Sequence, residues 1–229
     1  MKKVLSTAEA ISAFCDWPGK TVYDIGCGTG ELVRLMTEQG ASATGLDSAE
    51  MLDKAMKTPE AGDERYVAGG AERLPFEDGS ADLLTYIASL HHVAGDKLED
   101  ALRECARVLK PGGRAVFVEP VAAKGAYSEI TRLTGDDETL ARAKAYETLK
   151  TAFRYGLDMT AEEMFYVERS FDDYIHLVET FVDEAPRREE ILAEARRTTE
   201  RLAGEAGLPF EEFRYKSICR LNVFIRRRR

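Results

Sequence analysis

Val22-Tyr23-Asp24-Ile25-Gly26-Cys27-Gly28-Thr29-Gly30-Glu31-Leu32 decides the reading of this chain. Its first four residues are β-branched, aromatic or strand-compatible, and they run into three glycines at alternate positions. From Glu31 to Gln39 the pattern turns helical, with Leu32, Leu35 and Met36 on one face and Gly40 as the stop. A strand, a glycine-dense turn and a helix N-terminus together let backbone N–H groups approach a ligand closely. A dinucleotide site spells this turn G-x-G-x-x-G, the last glycine allowing helix and pyrophosphate to meet. Here that last position is Glu31, whose carboxylate would repel phosphates. The spelling G-x-G-x-G behind Asp24 suits a ligand without phosphates.

Working outward, the same alternation repeats. Ser6 and Glu9 spell a capping box for a helix over 6–16, closed by Trp17-Pro18-Gly19. Strands are predicted at 21–25, 43–47, 65–68, 81–87 and 114–119, with helices at 31–39, 49–57 and 97–109. The fourth strand is apolar almost throughout, as a strand buried on both faces would be. Beyond Pro120 the chain reads as helix from 121 to about 206, and two β-like runs, 212–216 and 221–225, close it. The expected fold is α/β: a doubly wound, mostly parallel, Rossmann-like sheet of seven strands with a helical cap inserted between strands 5 and 6. The divisions are a ligand-binding core over 1–120, a cap or lid with its crossover helix over 121–206, and the last two core strands over 207–229.

The chain has 229 residues, a formal charge of −9 and 44% hydrophobic residues, an ordinary globular composition. The negative charge argues against a nucleic-acid partner, which is gripped by neutralising phosphates. Arg226 to Arg229 form a local basic run whose plain reading is a solvated tail. No stretch approaches the length of a membrane span. Met1 to Ser6 lack the apolar run of a signal peptide, so the expected compartment is the cytoplasm. Cys15, Cys27, Cys105 and Cys219 are scattered, with no C-x-x-C pair to suggest zinc or redox chemistry.

Five blocks in order give a resemblance. Asp24-Ile25-Gly26-Cys27-Gly28-Thr29-Gly30-Glu31-Leu32 closely resembles motif I of the class I S-adenosylmethionine-dependent methyltransferases. Gly45 to Leu52, Ala71 to Asp82, Leu90-His91-His92-Val93 and Leu109-Lys110-Pro111-Gly112-Gly113 resemble the later motifs of the type 11, ubiquinone/menaquinone-methyltransferase-like group. The resemblance covers roughly 20–120. It implies S-adenosylmethionine as cofactor and S-adenosylhomocysteine as product. Gly26, Cys27, Gly28 and Gly30 are then expected against the methionine part and ribose, Asp24 near the ammonium, and Asp47 on the ribose hydroxyls. Ser48 and Met51 follow at the start of the next helix, and Ala88 ends the fourth strand. Asp47 also has a plain reading as the N-cap of the helix starting at 48, and the two roles are compatible. One departure stands out. The group commonly carries an acid just before the Ala-Glu of the third motif, and here that place is Gly70. Adenine recognition then falls to Gly70 and Ala71, with Glu72 as a substitute acid.

His91 is the candidate general base, and its neighbour His92 the alternative border of the acceptor site. No acid or thiol stands at ligand spacing from this pair, so no metal is expected. In-line methyl transfer from a sulfonium needs alignment and a dry pocket, and a base only where the acceptor must lose a proton. The 121–206 segment is rich in aromatics, among them Tyr127, Tyr146, Phe153, Tyr155, Tyr166 and Phe181. A ring-rich cap favours an enclosed small-molecule acceptor, with Tyr155, Tyr166 and Glu119 as polar candidates. A homo-oligomer is compatible with the sequence. The alternatives are a methyltransferase of RNA or protein, or an oxidoreductase holding a nucleotide cofactor.

Overall fold

The computed structural model describes residues 3–121, 126–134 and 138–228. The N-terminal half follows the predicted alternation. Helix α1 (Thr7–Ser12) starts at the capping box, with Ser6 Oγ accepting from Glu9 N at 3.2 Å and Glu9 accepting from Ser6 N at 2.7 Å. Then come β1 (Thr21–Ile25), α2 (Glu31–Glu38), β2 (Ser42–Asp47), α3 (Ala49–Ala55), β3 (Arg65–Ala68), β4 (Ala81–Ile87), α4 (Leu98–Val108) and β5 (Leu109–Pro120). Pro111-Gly112-Gly113 is absorbed into β5 as an irregularity: Ala81 pairs with Leu109, but Leu83 pairs with Arg114.

The second half departs from the expectation. Helices α5 (Ala126–Thr131) and α6 (Thr139–Leu149) are followed by a thirteen-residue strand, β6 (Leu157–Arg169), inside the segment read as helix throughout. Helices α7 (Phe171–Phe181) and α8 (Ala185–Ala206) then lead to β7 (Tyr215–Arg226), one continuous strand where two were expected. The count of seven strands holds, and a helical insertion does stand between β5 and β6. Strand six, however, lies inside the segment read as helix, and the two closing runs merge into strand seven. The cause is tertiary. Ala161, Glu162, Glu163 and Met164 are good helix formers, but they pair antiparallel with Val223, Asn222, Leu221 and Arg220, and the ladder overrides local preference. Only Leu157, Phe165 and Val167 of β6 are buried, so the alternation that announces a strand is nearly absent.

The sheet order is β3-β2-β1-β4-β5-β7-β6. The first five strands are parallel and β7 runs antiparallel between β5 and β6. An apolar layer covers each face. One holds Leu84, Tyr86, Leu102 and Phe117 with Ala145 and Leu149 of α6; the other holds Val22, Val33, Met36 and Val116 with Ile11 of α1. A smaller cluster joins α7 and α8 through Tyr174, Val178 and Ile191. Strand order reverses between β1 and β4, and the C-terminal edge at that point is where a crevice opens in such sheets.

Candidate functional site

The turn after β1 is held by β2. Gly26 N and Cys27 N donate to Leu46 O at 2.7 and 3.1 Å, and Gly28 N donates to Asp47 Oδ2 at 2.8 Å. Gly28 has φ +55°, and a Cβ built there meets no atom within 4 Å. A side chain at this position would therefore be strained and would project into open space above the turn. Gly26 is constrained differently: a Cβ there would stand 2.3 Å from Ser89 Cβ, so the glycine lets the turn after β4 come close.

Asp47 ends β2 with its second oxygen accepting from Ser48 N at 2.7 Å. Ser48 caps α3, taking Met51 N at 3.3 Å. A carboxylate offers about four acceptor sites, so Asp47 retains capacity for a ligand while it fixes both the turn and the helix entry. Gly69 N donates to Asp47 O at 3.0 Å, which brings the end of β3 alongside.

Beneath this, Asp24 is buried, its Oδ1 accepting from Thr85 Oγ1 at 2.6 Å. Burial pushes its pKa up to about 7; the Thr85 hydrogen bond works against that rise and nearby Asp47 adds to it. The Cys27 thiol is held far above its ordinary pKa, by burial first and by Asp24 and Asp47 next.

On the β4 side, Ala88 is the one non-glycine with positive φ (+49°) among the described residues. Its N–H is spent on Val118 O at 2.7 Å. The bend turns Ser89 toward β1, where its Oγ donates to Ile25 O at 2.6 Å. Strain of this kind concentrates at sites.

These segments surround a cavity of about 320 Å³. Gly26 lines it from β1, Asp47 and Ser48 from β2, and Gly70, Ala71 and Glu72 from beyond β3. From the segment after β4, Ser89, Val93, Ala94 and Lys97 also line the wall, none of them given a site role from sequence, and Lys97 closes it just before α4. They belong to a loop whose reach depends on the Ala88 bend, and nothing local announces that. Glu72 does fold toward Gly70, its carboxylate oxygens 2.5 and 2.7 Å from where a Gly70 Cβ would be. Cys27, Gly28 and Gly30 form the turn beside the cavity without lining it, and Asp24 lies below. Met51, half-buried on α3, is also outside the lining set.

His91 does not fit the part of general base. It is buried and lines no part of the cavity. Its Nδ1 is paired with Glu119, and its Nε2 stands 3.4 Å from Glu138. Burial opposes the charge, but the hydrogen bonds that Glu119 and Glu138 accept from the ring prevail and lift the pKa to about 9. A ring so held carries its proton at neutral pH. His92, its ring tilted 39° against that of His91 with centroids 4.1 Å apart, is the member that reaches the cavity wall. Glu119 is committed to Leu90 N at 2.9 Å as well as to His91.

The aromatics of the insertion also lie elsewhere. Phe153 and Phe181 are exposed, Tyr155 donates to Glu99 at 2.7 Å, and Tyr146 donates to Glu162 at 3.0 Å. Neither Tyr155 nor Tyr166 lines the cavity. The Tyr127 side chain and Arg229 lie outside the described residues. Cys15, Cys27, Cys105 and Cys219 are free and buried. No helix among the described residues is long and apolar enough to cross a membrane.

Comparison with known proteins agrees with the geometry. The family described as a methyltransferase domain matches residues 23–117. An uncharacterized methyltransferase of Synechocystis sp. is 38% identical over 104 residues, covering 44% of this chain and 48% of that protein. A ubiquinone/menaquinone biosynthesis C-methyltransferase of Azotobacter vinelandii is 39% identical over 109 residues, covering 44% of this chain and 42% of its own length. The chain thus spans less than half the length of the curated relatives it matches. The crystal structure of the YcgJ protein of Bacillus subtilis superposes with a TM-score of 0.63 at 22% identity, covering 96% of each chain. That likeness extends the shared fold over β6 and β7.

Proposed function

We propose, on the premise that residues 23–117 belong to the methyltransferase-domain family, that this chain transfers a methyl group from S-adenosylmethionine to a small-molecule acceptor. One observation carries the reading: the Gly28 turn, pinned by Asp47, opens onto a cavity at the C-terminal ends of β1, β2 and β4. When bound, S-adenosylmethionine supplies an electrophilic methyl on a sulfonium. Asp47 takes the ribose hydroxyls on its remaining acceptor sites. The backbone of the Gly26–Gly28 turn lies against the methionine part. Asp24, below the turn, answers the ammonium. The Ala71 backbone and the Glu72 carboxylate face the adenine amino group. Ser89, Val93 and Lys97 complete the wall and exclude water, which favours an in-line displacement whose leaving group loses its charge.

Charge weighs against a dinucleotide cofactor and against an RNA acceptor. Glu31 opens α2 and brings a carboxylate to the helix N-terminus where a dinucleotide would need its phosphates. A net charge of −9 disfavours RNA. Calorimetry separates the classes: S-adenosylhomocysteine should bind saturably and NADH should not. NADH binding in place of S-adenosylhomocysteine would overturn the reading. The proposed lid, read over 121–206, meets the cavity's edge at Glu138 before α6, which stands 3.4 Å from His91 Nε2 and 3.8 Å from His92 Nδ1.

A further inference from the structure

We propose that His91, His92 and Glu138 form a binding site for a divalent first-row transition cation of the zinc class, at the edge of the cofactor cavity. The two histidines come from the turn after β4, and Glu138 comes from the start of α6 in the insertion. Adjacent histidines lacked a third ligand in the sequence; the fold supplies it from beyond β5. His91 Nε2 lies 3.4 Å from Glu138 Oε2, and His92 Nδ1 lies 3.8 Å from Glu138 Oε1. All three donor atoms fall within 4.8 Å of one another. Ligands at about 2.0–2.1 Å from a tetrahedral ion stand about 3.3–3.4 Å apart. A small closing of the His92 side therefore brings the set to coordination distance, and His92 is exposed enough to move.

The supporting groups match what a metal-ligating histidine needs. His91 Nδ1 is paired with Glu119, which leaves Nε2 directed at Glu138. Glu119 is itself fixed by Leu90 N at 2.9 Å. A carboxylate on the far nitrogen is the arrangement that orients an imidazole and raises its basicity toward a metal. Two imidazoles and one carboxylate suit zinc or its neighbours better than magnesium or calcium. Arg142 contacts Glu138 Oε2 from the next turn of α6, the oxygen that His91 faces; its charge opposes a cation, so moderate affinity is expected. A bound ion takes the position of the proton between His91 Nε2 and Glu138.

Three protein ligands leave a coordination position open. On the methyl-transfer reading, with which this role stands or falls, that position receives an acceptor hydroxyl. The ion lowers its pKa, the proton leaves to solvent, and the oxygen attacks the methyl carbon. The carbon–oxygen bond forms as the carbon–sulfur bond breaks, and sulfur keeps the electron pair. The site also ties the insertion to the cavity wall, because Glu138 belongs to one and His92 to the other.

The test is titration of the chelator-stripped full chain with cobalt(II) at pH 8, read by visible d–d absorption and calorimetry. One equivalent should bind, with the spectrum of a four- or five-coordinate ion. His92→Ala and Glu138→Gln, both at partly exposed positions, should each weaken binding at least tenfold while circular dichroism stays unchanged. Glu119→Gln should weaken it about 10–100-fold. Absence of saturable binding, or binding that survives both ligand variants, would overturn the site. S-adenosylhomocysteine is titrated in the same samples. Cobalt binding without product binding would sink the methyl-transfer reading and leave the metal site standing; the reverse would do the opposite.

Discussion

The Glu72 carboxylate lies where a side chain on Gly70 would begin, with one oxygen 2.5 Å from that Cβ position. An acid expected at one residue is thus delivered by another, two places on. Glu72→Ala should weaken S-adenosylhomocysteine by about 1–1.5 kcal/mol, or roughly tenfold. Gly70→Asp alone should bind no better than wild type, because the new carboxylate meets Glu72. The double variant should regain most of the loss. Calorimetry on the four proteins decides it: additive losses would mean Glu72 is not a stand-in.

Asp47→Ala should cost about 1.5–3 kcal/mol of product affinity, or roughly ten- to hundredfold. It should also loosen the turn, since Gly28 N and Ser48 N both lose their acceptor. Hydrogen exchange at Gly28 and Ser48 should quicken in the ligand-free variant. Unchanged affinity would remove Asp47 from the site.

Gly28→Val should abolish product binding and leave the sheet intact. The position combines φ +55° with open space above it, so a branched side chain is both strained and in the ligand's way. A folded variant that binds normally would show that the turn does not cradle the ligand.

Asp24 should make stability depend on pH. Its folded pKa is raised to about 7 by burial, against about 3.9 for the unfolded chain. Between those values the folded state holds a proton that the unfolded state has lost. Stability from this group therefore falls as pH rises from about 4 to 7, and the loss is complete above 7. Asp24→Asn should be more stable than wild type at pH 8, by roughly 3–4 kcal/mol, with the gap closing below pH 4. Urea unfolding at both pH values measures it. A gap of the same size at both would show that packing, not charge, is responsible.

The first half of the fold was legible because its signals are local. The Ser6–Glu9 box, the apolar run Ala81–Ile87 and the stop at Gly40 each act through neighbours in sequence. The candidate site shares that property: Gly26 follows β1, Asp47 ends β2 and Ala71 stands three residues beyond β3. The far wall was not legible. Lys97 and Ser89 reach the cavity through the bend at Ala88, and Glu138 arrives on a helix from the insertion. His91 misled because adjacency says nothing of which ring faces a cavity and which is locked between two carboxylates. Strand β6 was hidden because three of its thirteen side chains are buried.

Strand β6 has β7 as its one long partner, and β7 is made only after α7 and α8. During synthesis the earlier segment must therefore wait, with no ladder to join. A waiting strand rich in valine and isoleucine would invite pairing between nascent chains. Thr160 to Glu163 instead carry two adjacent carboxylates and helix-favouring side chains. The features that disguise the strand in sequence are also a safeguard, keeping the segment soluble and uncommitted until the interior strand arrives to capture it.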